Sequence, residues 1–292
     1  MSEKIITSYK AFDKNMQCRN FQYEVGKEYE MDGEIKCCNR GFHACKSPME
    51  VWDYYDMLSS RYAEVEQSGK IDKEENLTKV CSSRIKIKAE LKLADIINIG
   101  VEWLKEITSP SKVKTTDKLV DNSGYSAQIG SSGYSAQIGS SGYSAQIGSS
   151  GDSAQIGSSG DYAKIGSSGD YAQIGSSGDY AKIGSSGYSA KIGSSGYSAK
   201  IGSSGYSAQI GSSGYSAQIG STGEDSVIMC AGNSSRAKAK VGSWITLAEW
   251  KWSYEKKRDV PVCVKTEYVD GENIKADTWY QLRNGKFVEV NE

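Results

Sequence analysis

The chain has 292 residues, enough for two ordinary domains or for a repeat array with flanking caps. Its 35 Lys and Arg residues balance 36 Asp and Glu residues, which excludes a general attraction to nucleic acid or to an anionic membrane. No apolar run reaches the ~18 residues of a membrane span, and the first residues, MSEKIITSYK, are too polar for a signal peptide. The seven cysteines, an odd number, then favour reduced thiols in a cytoplasm.

Residues 1–110 are predicted to form a small α/β domain. Ser47-Pro48-Met49-Glu50 is typical of a helix start, with Ser47 as the cap, and predicts a short helix over Val51–Leu58. Alternating polarity predicts strands over Arg61–Glu66 and Arg84–Lys88. A second helix runs to about Ile107 and is closed by Pro110; its apolar face consists of Ile96, Ile97, Val101 and Leu104. Residues 111–122 are a polar linker.

A strict nine-residue period fills residues 123–222. The phrase Gly-Tyr-Ser-Ala-Gln-Ile-Gly-Ser-Ser occurs in eleven copies with changes mainly at positions 2, 3 and 5, and every copy keeps Ala at position 4 and Ile at position 6. Flexible Gly/Ser linkers do not hold apolar residues in such a phase, so the period indicates stacked repeats. The copies begin at Gly124, Gly133, Gly142, Gly151, Gly160, Gly169, Gly178, Gly187, Gly196, Gly205 and Gly214.

Each copy has the pattern of a short strand and a turn. Alternate strand residues share a face, so Ala127 and Ile129 are predicted to point inward together. Two copies per coil give a flattened β-solenoid with glycines at the tight corners. The eleven copies then make five and a half turns, roughly 26 Å at about 4.8 Å per strand. Three copies per coil remain the alternative geometry.

A single copy cannot fold alone. Burial of one Ile stabilises by about 1.5–3 kcal/mol, whereas ordering nine backbones costs about 9–18 kcal/mol. The repeats must therefore stack, and the domains on either side are expected to cap the array.

Residues 223–292 are predicted to contain degenerate repeats and a small β cap. The stretch GEDSVIMCAGNSSRAKAKVGSW keeps fragments of the repeat, and we expect its nine-residue phase to be lost. Trp244–Trp252 is apolar enough to cover the end of the solenoid. Asp270-Gly271 and Asn284-Gly285 are both hairpin dipeptides. The predicted fold class is thus mixed: a small α/β domain, a central β-solenoid and a β cap.

The phrases CRNFQYEVGKEYE and GFHACKSPMEVWDYY and the tail IKADTWYQLRNGKFVEV resemble an uncharacterised family of tailed-phage genomes and gut bacteria. Members of this family join such a domain to a Gly/Ser-rich nonapeptide array and a similar tail. The resemblance extends over essentially the whole chain and implies no activity. The stretch GEDSVIMCAGNSSRAKAKVGS is also similar to the left-handed β-rolls of trimeric adhesin heads.

Gly41-Phe42-His43, followed by the predicted helix and the strand Tyr62–Glu66, resembles the ADP-ribosyltransferases. The resemblance implies a ribose-binding role for His43, while their catalytic Glu has no assigned counterpart in this chain.

Any metal site or nucleophile–base pair that uses a histidine must use His43, the only one in the chain. Its candidate companions are Cys37, Cys38 and Cys45, as zinc ligands or as part of a Cys/His nucleophile. Adjacent cysteines are a poor geometry for one ion, so we predict a structural histidine, buried thiols, no metal and no cofactor. Calcium binding and ice binding are disfavoured, because only four copies contain Asp and the array contains a single Thr.

Positions 2, 3 and 5 vary among the copies, as Tyr or Asp, Ser or Tyr, and Gln or Lys, and they give the candidate partner-binding surface. With two copies per coil, equivalent residues of every second copy stack into ladders, and in the central copies Asp replaces Tyr at position 2. Aromatic side chains on a rigid frame favour binding, whereas the equal alternative is that stacked Tyr only stabilise the coil. The candidate residues are Asp152, Asp161, Tyr162, Lys164, Asp170, Tyr171, Asp179, Tyr180, Lys182 and Lys200.

We therefore expect a non-enzymatic, phage-type interaction protein in the cytoplasm of a bacterial host. Its solenoid would bind a host protein, such as a defence component, and inhibit or sequester it. The alternatives are an ADP-ribosyltransferase-like enzyme that uses residues 1–110, and a structural solenoid that assembles into a homo-oligomer.

Overall fold

The computed structural model describes residues 5–73, 78–108, 119–121 and 124–291. The chain divides into two units, Met1–Trp103 and Leu104–Glu292. The predicted helix end at Pro110 and most of the predicted linker 111–122 lie outside the described residues. Among the helices of the described ranges, none has the length and apolar character needed to cross a bilayer.

The N-terminal unit is built around sheet 1. Its strand order is β4-β7-β5-β1-β6, and a further pairing of β7 with β6 closes four of the strands into a ring. Strands β2 and β3 form a separate small ribbon. The strands are β1 (Ile6–Phe12), β2 (Gln17–Cys18), β3 (Phe21–Gln22), β4 (Glu28–Glu30), β5 (Phe42–Cys45), β6 (Arg61–Lys73) and β7 (Lys79–Leu91).

The sheet-1 core follows the alternation seen in the sequence. Val65, Ile85 and Ile87 are fully buried and pack with Phe12 and Phe42. The strands predicted over Arg61–Glu66 and Arg84–Lys88 are therefore confirmed, and both are longer than the sequence indicated.

Of the two helices predicted from the sequence, one is present and the other is not. The predicted helix α1 is present at Leu93–Ile107, with Ile96, Ile97, Val101 and Leu104 buried. The helix predicted over Val51–Leu58 is wrong: a short 3-10 helix lies at Pro48–Asp53, and the Ser47 side chain does not cap it. In a 3-10 helix residues three apart share a face, which buries Met49 and Trp52 together.

The repeat array forms a β-solenoid of about seven turns. Successive strands alternate between two parallel sheets, sheet 2 with the even-numbered strands and sheet 3 with the odd-numbered ones. The strands are β8 (Leu119–Asp121), β9 (Gln128–Ser131), β10 (Gln137–Ser140), β11 (Gln146–Ser149), β12 (Gln155–Ser158), β13 (Lys164–Ser167), β14 (Gln173–Ser176), β15 (Lys182–Ser185), β16 (Lys191–Ser194), β17 (Lys200–Ser203), β18 (Gln209–Ser212), β19 (Gln218–Ser221), β20 (Val227–Cys230) and β21 (Arg236–Lys238).

The register confirms two copies per coil. Ile156 pairs with Ile138 before it and with Ile174 after it, so each partner belongs to the next copy but one. Every Ala at position 4 and Ile at position 6 of the eleven copies is buried, as predicted. The Ser at position 8 also points inward, and seven of these hydroxyls are buried without a hydrogen-bond partner: Ser149, Ser158, Ser167, Ser176, Ser185, Ser194 and Ser203.

The corners of the coil correct the expectation about glycine. Position 3, which is Ser or Tyr in the eleven copies, has a left-handed backbone with φ between 51° and 58°. Its N–H donates to a carbonyl of the next coil, as Tyr162 does to Asp179 at 2.8 Å, and this bond offsets the strain. The Gly at position 1 has a different purpose: a Cβ on Gly178 would lie 2.0 Å from the carbonyl oxygen of Gly160.

The expected loss of phase after residue 222 is wrong. Ile228 pairs with Ile210 and Ala237 with Ile219, and both pairs keep the spacing of two copies. The phase slips only at the last coil, where Ile245 pairs with Ile228, a spacing one residue short of two copies. Two further copies and the strand β8 lengthen the solenoid to roughly 34 Å at about 4.8 Å per coil.

The C-terminal end is capped by two antiparallel ribbons, β22 (Trp244–Ser253) with β23 (Arg258–Tyr268), and β24 (Tyr280–Arg283) with β25 (Lys286–Glu289). Sheet 2 continues into β22 and sheet 3 into β24. The Asn284-Gly285 hairpin is confirmed, and both residues have positive φ. The Asp270-Gly271 hairpin is wrong, because Asp270 Oδ1 instead accepts the N–H groups of the three residues from Glu272 to Ile274.

Candidate functional site

The ten candidate residues of the array lie on two opposite edges of the solenoid and on the outer face of sheet 3. Each turn carries the chain from one sheet to the other, so alternate copies place their turns on opposite sides. Asp152, Asp170 and Tyr171 lie in the turns that enter sheet 2. The other seven belong to copies that enter sheet 3: Asp161, Tyr162, Lys164, Asp179, Tyr180, Lys182 and Lys200. The aspartates and tyrosines therefore form two edge surfaces rather than one patch, and the three lysines lie on the strands of sheet 3.

The four aspartates bind the backbone of the neighbouring coil. Asp161 Oδ1 accepts the N–H of Asp179 at 2.8 Å, and Asp179 Oδ1 accepts the N–H of Tyr197 at 2.7 Å. On the other edge Asp152 and Asp170 do the same for the coils that follow them. A packing reason for the change from Tyr to Asp therefore exists, because each carboxylate satisfies a backbone donor.

The tyrosines of one edge form a continuous column, in which neighbouring ring centroids are 5.0 to 5.5 Å apart. Where Asp occupies position 2, the tyrosine at position 3 keeps its ring in the column, as Tyr162 and Tyr180 do. On the opposite edge, the described residues make one such contact, between Tyr171 and Tyr188. The column consists of Tyr125, Tyr143, Tyr162, Tyr180, Tyr197 and Tyr215.

The outer faces of the two sheets differ in exposure. On sheet 3, Gln146 is 6% and Lys164 5% exposed, and Lys182 and Lys200 are half-buried. Lys164 is thus a poor candidate for a partner contact. On sheet 2 the corresponding side chains, from Gln155 to Gln209, are exposed.

The outer face of sheet 2, here called the open face, has a floor of glycine. The position-7 glycines Gly157, Gly175, Gly193 and Gly211 have no atom within 4 Å of an added Cβ. Beside them runs a row of exposed position-5 side chains, Gln137, Gln155, Gln173, Lys191 and Gln209. Together these residues line a groove of about 980 Å³.

The groove ends at apolar side chains. In the coil after Gln209 and Gly211, Val227 and Met229 take their places, and both line the groove. Trp244 follows Val227 on the next strand, and its ring packs on Tyr268 with centroids 5.0 Å apart. These four side chains are between 42% and 54% exposed, so they form a continuous apolar end of the open face.

A second cluster of reactive groups lies in the N-terminal unit. The ligand atoms of Cys37, His43 and Cys81 lie within 4.8 Å of one another. Strand pairing brings them together, because His43 on β5 is directly opposite Cys81 on β7. Two thiols and an imidazole are a donor set suited to Zn²⁺.

The hydrogen bonds of this cluster are those of neutral groups. His43 Nε2 accepts the N–H of Cys38 at 3.0 Å, and the thiol of Cys81 donates to the carbonyl of Arg40 at 3.2 Å. Burial raises the pKa of Cys81 to about 12, and burial with the Asp72 charge raises the pKa of Cys37. Burial, reinforced by the charges of nearby Lys and Arg residues, lowers the pKa of His43 to about 4. A metal would have to displace these protons and the Cys38 N–H.

Sequence reasoning named Cys37 and His43 but missed Cys81. Its place in the cluster depends on the pairing of β5 with β7, for which spacing gives no signal. A Cβ on Gly41 would lie 2.1 Å from the Cys81 sulfur, so the Gly-Phe-His phrase packs closely against this thiol, a contact that the sequence alone does not reveal. The glycine groove was missed as well, because identical copies give no sign of which sheet stays exposed.

The fold and these surfaces define a β-solenoid repeat protein with an N-terminal β domain. Residues 6–99 match a family described as a domain of unknown function, DUF7666. No curated protein and no solved structure matches the chain.

Proposed function

We propose that the protein is a non-enzymatic interaction protein whose solenoid binds a protein partner through the open face. The observation that supports it most is the glycine floor, which leaves a groove along a rigid parallel sheet. Exposed Met229, Trp244 and Tyr268 at its end are the kind of side chains that dominate protein interfaces. A partner segment lying in the groove would meet polar side chains along one wall and apolar ones at the end.

The resemblance to the tailed-phage family supports a partner from the cytoplasm of a bacterial host, which binding would inhibit or sequester. The near-zero net charge of −1 favours neither nucleic acid nor membrane as the partner.

The test fills the groove without disturbing the fold. Gly175→Glu places a charged side chain where nothing lies within 4 Å, and Met229→Ser removes one of the apolar side chains at the end of the groove. A partner captured from bacterial lysate by the wild-type chain should bind each variant at least ~10-fold more weakly. Ser177→Glu, a charge at an exposed residue of the same copy just after strand β14, is the matched control and should bind normally. Unchanged binding by both groove variants would refute the open face.

The edge that carries the tyrosine column is a second candidate surface. Its rings remain 40% to 46% exposed from Tyr143 to Tyr215, so they offer a continuous aromatic strip. Replacing Tyr162 and Tyr180 together by Ser tests it with the same captured partner.

The enzyme alternative is tested with labelled NAD and the full chain in host lysate. We expect no transfer of label; transfer that disappears in His43→Ala would favour an ADP-ribosyltransferase-like activity. Sedimentation of the purified chain tests the remaining alternative, self-assembly into a homo-oligomer.

A further inference from the structure

Lys10 is a buried cation in the middle of the N-terminal sheet. It lies on β1 and is 5% exposed. Its ammonium donates to the carbonyl of His43 at 2.9 Å and reaches the sulfur of Cys18 at 3.5 Å. The rings of Phe12 and Tyr23 lie 5.6 and 5.5 Å from its Nζ.

No carboxylate among the described residues pairs with Lys10. An ammonium has three donors, and here one carbonyl and one weakly accepting sulfur take two of them. Burying a charge without an opposite charge beside it is unfavourable, and burial accordingly lowers the pKa of Lys10. The fold thus bears a cost that no carboxylate among the described residues offsets, which is typical of a functional site.

Lys10 lines a cavity of about 540 Å³. Arg19 and Lys79 line it too, and none of its described lining residues is Asp or Glu. The whole chain has nearly equal numbers of acidic and basic residues, so the excess of basic side chains is a local property of this cavity. The two cations Lys10 and Arg19, in a lining that contains no carboxylate, are better matched by a phosphate, with a charge of about −1.5 to −2, than by a single carboxylate.

The walls of the same cavity are aromatic. Phe21, Tyr23, Phe42, Tyr54 and Tyr55 line it, and Phe21 and Tyr54 are 42% and 49% exposed at its rim. Aromatic faces beside a charged floor suit a flat ring attached to the anion. The volume exceeds what an inorganic anion needs.

We propose that this cavity binds a small organic phosphate that carries a flat ring, with Lys10 as its buried charge partner and Arg19 as a second contact at the rim. This site belongs to the N-terminal unit alone and does not depend on the function proposed for the solenoid.

The test is thermal unfolding and calorimetric titration of the full chain with millimolar inorganic phosphate, the four nucleoside monophosphates and the unphosphorylated nucleosides. We expect at least one nucleoside monophosphate to raise the melting temperature and to bind more tightly than inorganic phosphate and than its own nucleoside. Absence of stabilisation by every phosphate of the panel would overturn the proposal. Equal affinity for nucleoside and nucleotide would also overturn it, because the phosphate would then contribute nothing to binding. Equal affinity for inorganic phosphate and nucleotide would overturn it too, because the ring would then contribute nothing.

Variants assign the site. Lys10→Met replaces a buried charge by an apolar chain of similar length, so the unliganded protein should be as stable as wild type or more stable. Its nucleotide affinity should fall about 10- to 100-fold. Arg19→Gln, at an exposed position, should weaken binding without affecting folding and provides the test if Lys10→Met does not fold. Lys14→Met, at an exposed lysine outside the cavity, is the matched control. Wild-type affinity in Arg19→Gln and Lys10→Met would overturn the assignment.

Discussion

Individual residues of the repeat meet different physical demands. Position 1 requires glycine for close approach between coils, position 3 tolerates a left-handed backbone because of its inter-coil hydrogen bond, and positions 4, 6 and 8 fill the interior. The residues at positions 5 and 7 form the outer face of each sheet. Substitutions at neighbouring positions of one copy can therefore separate these demands.

Ile174 tests the interior. Ile174→Asp buries a carboxylate without a partner in a strand stacked on both sides, and we expect the free energy of unfolding to fall by more than ~3 kcal/mol. Gln173→Asp, one residue earlier and exposed, should change it by less than ~0.5 kcal/mol. Circular dichroism during thermal unfolding measures both. Equal stabilities would contradict the inward orientation.

Ser176 tests the buried hydroxyls. Its Oγ lacks a hydrogen-bond partner, so Ser176→Ala removes an unsatisfied polar group and leaves the backbone unchanged. We expect a gain of about 1 kcal/mol in urea unfolding, and no change for Ser177→Ala on the exposed side. A clear loss of stability in Ser176→Ala would mean that the hydroxyl is bonded.

His43 gives the pH dependence of the N-terminal unit. Its pKa is lowered from 6.5 to about 4, so between these values the unfolded chain binds the proton more readily than the folded one. The stability should therefore fall as the pH drops from about 6.5 to about 4, and less so in His43→Gln. Because the chain has one histidine, a single imidazole resonance reports the titration directly. A midpoint near 6.5 would contradict the buried, neutral ring.

At the scale of elements, the coil of two copies is the unit that can be removed. Deleting Gly160–Ser177 keeps every later strand in its own sheet and shortens the open face by one coil. Deleting only Gly160–Ser168 moves all later strands to the opposite sheet, so the remaining face is split at the junction. If the open face binds the partner, the two-copy deletion should retain part of the affinity and the one-copy deletion should lose it. Both proteins should keep their β circular dichroism. Equal binding by the two would favour a spacer.

The period was sufficient to predict the stacking and the inner face, because identical copies can stack only with equal registers and Ala-x-Ile admits one inner face. It left two or three copies per coil open, and the strand register decides for two. Other features depend on contacts that the pattern does not encode. The left-handed position 3 carries Ser or Tyr, which have no propensity for that backbone, and is explained by a carbonyl of the next coil. The nine-residue phase continues to Ala237, but the sequence does not show it clearly. Val227, Met229 and Arg236 replace the usual outward residues, while the inward residues stay small or apolar.

The chain has few side chains of the types that commonly bind zinc, and this limits the metal sites that it can form. One histidine and seven cysteines, none of them in a disulfide, leave the Cys37, His43 and Cys81 cluster as the metal-ligand group found in the described ranges. Since its thiols are held protonated, we expect protein purified without chelator to contain well under one equivalent of zinc by elemental analysis. One equivalent that is lost in Cys81→Ser would reassign the cluster as a structural zinc site.

The tyrosine column also has an optical consequence. Six phenol rings in near contact form an array within which electronic excitation can migrate from ring to ring, and the C-terminal ribbon beyond it contains Trp244, Trp250 and Trp252 as lower-energy acceptors. Light absorbed by tyrosine should therefore emerge partly as tryptophan fluorescence, and a break in the column should return the emission to tyrosine. The molecule thus contains its own reporter of local opening, readable without an added dye.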